Sequence, residues 1–237
     1  MNTGPLQYHR IILLRSPPGT ATCRDALACA RAWSEVPEEG ALMVFFHGRG
    51  VEHAAGRCAA CWRELSEWHR ATLAVCSGSW ARRFGTPPEP PFELSSLVTF
   101  WNQAADARQT VCFGESVPPA PQGCSDRVAA TGSGRNKSGW KIVIASGPAD
   151  PGSREILELV LAGATLELDL EVIFAGPGRA HLQDKFFAPF RQLTDHELAR
   201  ISVLGPQNVA LPASVGIANP ACLDEAAGQS PAGVFFL

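Results

Sequence analysis

Residues 41–53 read ALMVFFHGRGVEH and residues 170–181 read LEVIFAGPGRAH. In each, an unbroken apolar run passes into Gly-x-Gly-x-x-His: Gly48, Gly50 and His53 in the first, Gly176, Gly178 and His181 in the second. A short, uniformly apolar run bounded by glycine reads as a strand buried on both faces. The glycines read as a tight loop that needs a positive φ. A dinucleotide fingerprint would need a third glycine, a place after the first strand and an acidic residue about 20 positions on, and none of these is present. No nucleotide or other organic cofactor is therefore expected.

Working outward, the surroundings repeat too. HRIILLRSPP (9–18) and WKIVIASGPA (140–149) each run an Ile-rich strand into a Pro-containing loop. Amphipathic helix patterns follow at Thr22–Val36 and Ser153–Leu166, and again after the glycine motifs at Ala59–His69 and Asp184–Leu193. Third strands come next, TLAVC (72–76) and ISVLG (201–205), and each block closes on an aromatic strand, TVCFG (110–114) or GVFFL (233–237). Strands alternating with helices predict an α/β protein. The expectation is two similar three-layer α/β/α domains, each a small, mainly parallel sheet with helices on both faces. Between them GESVPPAPQGCSDRVAATGSGRNKSG (114–139) has no apolar period and reads as a linker, leaving domains at 1–113 and 140–237.

The composition sets the outer bounds. The chain has 237 residues, 46% hydrophobic and 18% charged, with a net charge of −3, which excludes fibrous and largely disordered readings. No apolar run approaches the roughly 20 residues of a membrane span, so no membrane is expected. Ile11–Leu14, between Arg10 and Arg15, is too short for a signal-peptide core. A cytoplasmic, reducing setting follows, in which the eight cysteines are free thiols. Lys137, Lys141 and Lys185 are the only lysines, and no basic run supports direct nucleic-acid binding. Residues 140–237 hold six bases and 11 acids, a −5 block that argues for a separate partner surface.

In open parallel sheets, sites form beyond the carboxyl ends of the strands. Ser16–Thr20, His47–His53 and Cys76–Ser79 lie there in the first block. Cys76 ends TLAV and enters Ser77-Gly78-Ser79-Trp80-Ala81-Arg82-Arg83. Backbone N–H donors of a following turn and the Arg82 and Arg83 guanidiniums would favour a thiolate there, with a buried strand-end cysteine as the alternative. The second block has Val203-Leu204-Gly205-Pro206 at the matching place. His47, Glu52 and His53 share one loop, as polar rim, proton carriers or thiolate-tuning groups, with a polar surface loop as the default. Cys58-Ala-Ala-Cys61 lacks the second ligand pair of a zinc site, so no metal is expected. Cys61, Trp62, Leu65 and Trp68 mark a buried stripe, which favours core packing over redox chemistry for the pair, although Cys58 lies near the site loops. Cys23, Cys29 and Cys112 read as core or near-core, and Cys124 as incidental to the linker.

VFFHGRGVEHA, WRELSEWH, LAVCSGSWARRFG and FELSSLVTFWNQAADARQTVCFG together resemble the DsrE/TusD family of sulfur-relay proteins. KIVIASGPADPGSREILELVLAGATLELDLEVIFAGPGRAHL, FFAPFRQL and the aromatic terminal strand resemble the sister DsrF/TusC family. The chain thus resembles a fusion of two subunits. The resemblance implies that Cys76 carries sulfane sulfur as a persulfide. Ser77, Gly78, His47, His53, Arg82 and Arg83 are the residues expected to line it or tune its thiolate, and no cofactor and no metal are expected. It implies a TusA-like donor, a DsrC/TusE-like acceptor and an oligomer, completed by a separate DsrH/TusB-like third subunit or by assembly of the fusion with itself, serving sulfur oxidation or tRNA thiolation. Cys58 and Cys61 stand outside that pattern, with Cys58 a candidate second, resolving thiol. Two other readings remain at this point: a non-catalytic structural or regulatory subunit, and a thiol redox or metal sensor using Cys58, Cys61 and Cys76.

Overall fold

The structure is a computed structural model that describes residues 7–35, 41–69, 71–114, 139–204, 211–212, 214–218 and 234–237. The chain divides into two compact units, Met1–Glu115 and Ser116–Leu237. The expected linker lies, from 115 to 138, outside the described residues, as do Cys124, Gly205 and Pro206.

The first unit runs β1 (Tyr8–Leu14), α1 (Ala21–Ser34), β2 (Ala41–Phe46), a 3-10 segment Gly48–Ala54, α2 (Ala59–His69) and β3 (Thr72–Cys76). It continues through α3 (Ser77–Ala81), β4 (Phe92–Ser95), α4 (Leu97–Asp106) and β5 (Gln109–Phe113). Its five strands lie in the order β4-β3-β2-β1-β5, every neighbouring pair parallel. The second unit runs β6 (Trp140–Ile144), α5 (Ser153–Ala164), β7 (Leu170–Phe174), a 3-10 segment Gly176–Leu182 and α6 (Asp184–Asp195). Then come β8 (Arg200–Leu204), β9 (Gly216–Ala218) and β10 (Val234–Phe236). Its order is β10-β6-β7-β8-β9, again parallel throughout. Read from the opposite edge this is the order of the first unit. Each unit is the α/β fold expected, a parallel sheet flanked by helices.

The apolar runs form the inner strands because nothing else in the chain can fill positions covered on both faces. Ile11–Leu14 and Val44–Phe46 have no solvent exposure, and Ile142, Ile144, Val172 and Phe174 repeat this in the second sheet. The glycine motif is a close-approach device in both units. A Cβ on Gly50 would stand 2.0 Å from the Leu14 carbonyl oxygen, and one on Gly178 would stand 2.0 Å from that of Ile144. Gly48 and Gly176 take positive φ, 57° and 49°, as the loop reading requires. Helix starts follow sequence chemistry: Thr20 Oγ1 accepts from the Cys23 N–H at 3.1 Å, and Ser96 Oγ accepts from the Thr99 N–H at 3.0 Å.

The sheets have one strand more than the sequence pattern announces. β4 and β9 close the edges, and both are short and half-open to solvent, with Leu94 48% and Ile217 63% exposed. An edge strand of three or four residues carries too little periodicity to be seen against its turn-rich surroundings.

Candidate functional site

Parallel register sets the residues that end neighbouring strands side by side. Leu14 pairs with Phe46 and Phe46 with Val75, so the residues that follow, Arg15, His47 and Cys76, stand level, and Cys76 pairs with Ser95. The carboxyl end of the first sheet thus carries a polar row: Arg15, His47, Cys76, Ser95. The same construction in the second unit gives Ala145, Ala175, Leu204 and Ala218, from the pairs Ile144–Phe174, Phe174–Val203 and Leu204–Ala218. One fold is therefore built twice, with a polar row in one unit and an apolar row in the other.

The polar row is costly. His47 has no solvent exposure, and neither ring nitrogen has a hydrogen-bond partner among the described residues. Leaving such groups unsatisfied costs about 1–3 kcal/mol each. Burial holds the His47 imidazole far below the ordinary histidine range, and the guanidiniums of Arg15, Arg82 and Arg83 push in the same direction, so the ring is neutral. These cations reach it from two sides. The Arg15 side chain lies beside Gly48, where a Cβ would meet Nε and Nη2 at 3.6 Å. Arg82 folds back over Gly78, whose Cβ would meet its Nη1 at 3.8 Å.

Cys76 immediately precedes α3 and is 2% exposed, and its sulfur makes no capping hydrogen bond to that helix. Ser77, Gly78 and Arg82, by contrast, are exposed. The single turn of α3 packs on the loop that begins at Gly48 and is pinned at buried Ser79. The Gly48 N–H donates to Ser79 Oγ at 3.1 Å, and Arg83 Nη1 donates to the Ser79 carbonyl at 3.1 Å. Arg83 Nε and Arg49 Nε share the Glu52 carboxylate at 3.9 and 3.5 Å. Cys76 itself is buried, so exchange there requires a movement that exposes its sulfur.

His47 and His53 are not polar surface residues, correcting that default. His53 is 1% exposed and has a structural job. Trp62 Nε1, which can only donate, reaches His53 Nδ1 at 3.2 Å, so Nε2 carries the proton and donates to the Ser16 carbonyl at 3.0 Å. Burial lowers its pKa, against the raising effect of the Ser16 carbonyl and Glu52. His181 makes the same contact, Nε2 to the Ser146 carbonyl at 3.2 Å. The aromatic cluster repeats as well: Phe46, His53 and Trp62 in the first unit, Phe174, His181 and Phe190 in the second. The glycine–histidine motif is thus fold machinery common to both units, and the polar row is not.

No family model and no curated protein matches this chain. The contrast between the units therefore bears the weight of assignment. Sequence reading singles out His47, Cys76, Arg82 and Arg83, takes in Ser79 only as the end of the Cys76–Ser79 span, and passes over Arg15 and Ser95. Comparing the residue after each strand in one block with its counterpart in the other would have exposed Arg15 against Ala145.

The remaining thiols lie elsewhere. Cys58 and Cys61 are both exposed, which corrects the core-packing expectation. The buried arc of α2 is centred on Ala59, Trp62 and Leu65. Cys61 stands about 100° round from Trp62. Cys23, half-buried on α1, has its sulfur 4.0 Å from His53 Nδ1, and the thiols of Cys58 and Cys61 bear on it electrostatically. Cys23 thus stands near enough to the Cys58–Cys61 pair for their charges to be felt at its sulfur. Burial raises the pKa of Cys29 to about 11 and of Cys112 to about 12. No group of three His, Cys, Asp or Glu side chains able to hold a metal ion occurs among the described residues. No helix among them is long and apolar enough to cross a membrane.

Proposed function

We propose that the first unit is a sulfur-relay domain that carries sulfane sulfur as a persulfide on Cys76, and that the second is its non-transferring twin. The observation that carries this reading is the exchange of Arg15, His47, Cys76 and Ser95 for Ala145, Ala175, Leu204 and Ala218 at matching strand ends. The apolar row satisfies the fold, so the polar one, with an imidazole unpartnered among the described residues, serves chemistry. The Cys76 thiolate attacks the outer sulfur of a donor persulfide R–S–SH. The new Sγ–S bond forms as the S–S bond of the donor persulfide breaks, and R–S⁻ leaves. An acceptor thiolate then attacks the outer sulfur on Cys76 and regenerates its thiolate, with no net oxidation. Arg82, folded over Gly78, and Arg83, bonded to the Ser79 carbonyl, are the cations nearest in sequence to the anionic sulfur, while neutral His47 contributes a nitrogen lone pair without adding charge. The donor in this proposal is a TusA-like carrier and the acceptor a DsrC/TusE-like protein, in the cytoplasm, within an oligomer that includes a DsrH/TusB-like subunit.

Intact mass after incubation with a sulfane-sulfur donor tests the reading. One added sulfur is expected on the native chain and none on Cys76→Ser. Full loading of Cys76→Ser overturns it. A scaffold subunit without transfer is the competing reading, favoured by the 2% exposure of Cys76, and it predicts no loading of the native chain.

A further inference from the structure

The geometry points to a second thiol site on the first unit: Cys58 and Cys61 form a dithiol–disulfide couple that exchanges with small disulfides of the type R–S–S–R. The pair is placed for it. Cys58 ends the 3-10 segment Gly56–Cys58, and Cys61 lies in the first turn of α2. Residues three apart at a helix start have Cβ atoms about 5–6 Å apart. A disulfide asks for about 3.5–4.5 Å. Cys58 precedes the α-helical ladder and Gly56 holds a positive φ of 64°, so the adjustment falls on a turn rather than on the helix.

Exposure separates this pair from the other described thiols. Cys23, Cys29 and Cys112 are half-buried and Cys76 is buried, while Cys58 and Cys61 both face solvent. A free cysteine is usually a small buried hydrophobe, and two exposed ones spaced for bridging serve no packing purpose. Cys23 is tied to the first turn of α2 through His53, whose Nδ1 accepts the Trp62 indole N–H hydrogen bond and lies 4.0 Å from the Cys23 sulfur. Burial raises the pKa of Cys23, so it stays a thiol and leaves the exchange to the exposed pair.

The chemistry balances in two exchanges. The thiolate of one cysteine attacks R–S–S–R, forming a protein–S–S–R mixed disulfide and releasing R–S⁻. The second thiolate attacks the protein sulfur of that mixed disulfide, closing the Cys58–Cys61 bond and releasing the second R–S⁻. Two protein thiols are oxidised, one small disulfide is reduced, and the two protons go to the departing thiolates.

The site stands independently of the persulfide reading at Cys76, and one experiment keeps them apart. The full chain is equilibrated with oxidised glutathione, remaining thiols are alkylated, and peptides are mapped by mass. The expected result is the joint loss of alkylation at Cys58 and Cys61 with a linked peptide joining them, unchanged in Cys76→Ser. Cys61→Ser is expected to stall with one glutathione on Cys58, and Cys58→Ser with one on Cys61. Both residues are exposed, and circular dichroism of each variant confirms the fold. Full alkylation of both thiols after equilibration, or a bond from either to Cys23, overturns the proposal. So does a zinc ion retained through desalting and released by Cys58→Ser, which would make this a metal site.

Discussion

Replacing Gly50 by alanine tests the close approach on which both the loop and the polar row depend. The new methyl would stand 2.0 Å from the Leu14 carbonyl oxygen and 2.8 Å from its carbon, where ordinary contact begins at 3.4 Å. The obstacle is backbone, so β1 and the 3-10 segment must separate by more than an ångström. That carbonyl accepts the His47 N–H at 2.9 Å, and the separation breaks the bond. Losing it and leaving a buried N–H unsatisfied costs about 1–3 kcal/mol. Residual overpacking adds about 1–3 kcal/mol. A total of about 3 kcal/mol lowers the melting temperature of a unit near 100 residues by roughly 12 °C. Gly178→Ala meets the Ile144 carbonyl at the same 2.0 Å and is expected to do the same to the second unit. Gly56→Ala is the control, because its positive φ is strained but nothing lies within 4 Å of the new methyl. It should cost about 1 kcal/mol. Calorimetry of the full chain gives the melting shifts, and hydrogen exchange assigns each to β1–β3 or β6–β8. A Gly50→Ala loss no larger than that of Gly56→Ala would refute the reasoning.

Burial depresses the pKa of His47 in the folded chain, so its contribution to stability is complete above the unfolded value of about 6.5 and is lost as pH falls through it. His47→Leu, which removes two nitrogens unpartnered among the described residues, should hold or raise stability at neutral pH. It should also flatten the acid slope by up to about 1.4 kcal/mol per pH unit, read from urea midpoints between pH 5 and 7; an unchanged slope would show that the ring is not held neutral. Alkylation at about pH 8 should label Cys58 and Cys61 first, and Cys29 and Cys112 last, because pKa values of about 11 and 12 leave almost no thiolate. Peptide mapping over time gives the order, and early labelling of Cys112 would contradict its placement.

The fold was readable in the chain because its inner strands are uniformly apolar. IILL and LMVFF have no other stable place than the middle of a covered sheet, and the glycine motifs punctuate them identically. β4 and β9 escaped because an edge strand needs few apolar residues, and FELS and GIA are indistinguishable from loop by pattern. At the site, Cys76 was legible as a strand-end cysteine entering a turn. The burial of His47 was not, since a histidine ahead of Gly-x-Gly reads as loop unless the packing of α3 on that loop is known. Cys58 and Cys61 were misjudged because a stripe one helical position too wide takes in Cys61, and one-dimensional periodicity does not locate the edge of a buried arc.

Two sheets of equal strand order, one ending in Arg15, His47 and Cys76 and the other in Ala145, Ala175 and Leu204, give the molecule its own blank. Any reagent that acts through the architecture alone will mark both halves, and any that acts through the trio will mark one. Grafting arginine, histidine and cysteine onto the second half then asks whether those side chains suffice, inside the same polypeptide and against the same background.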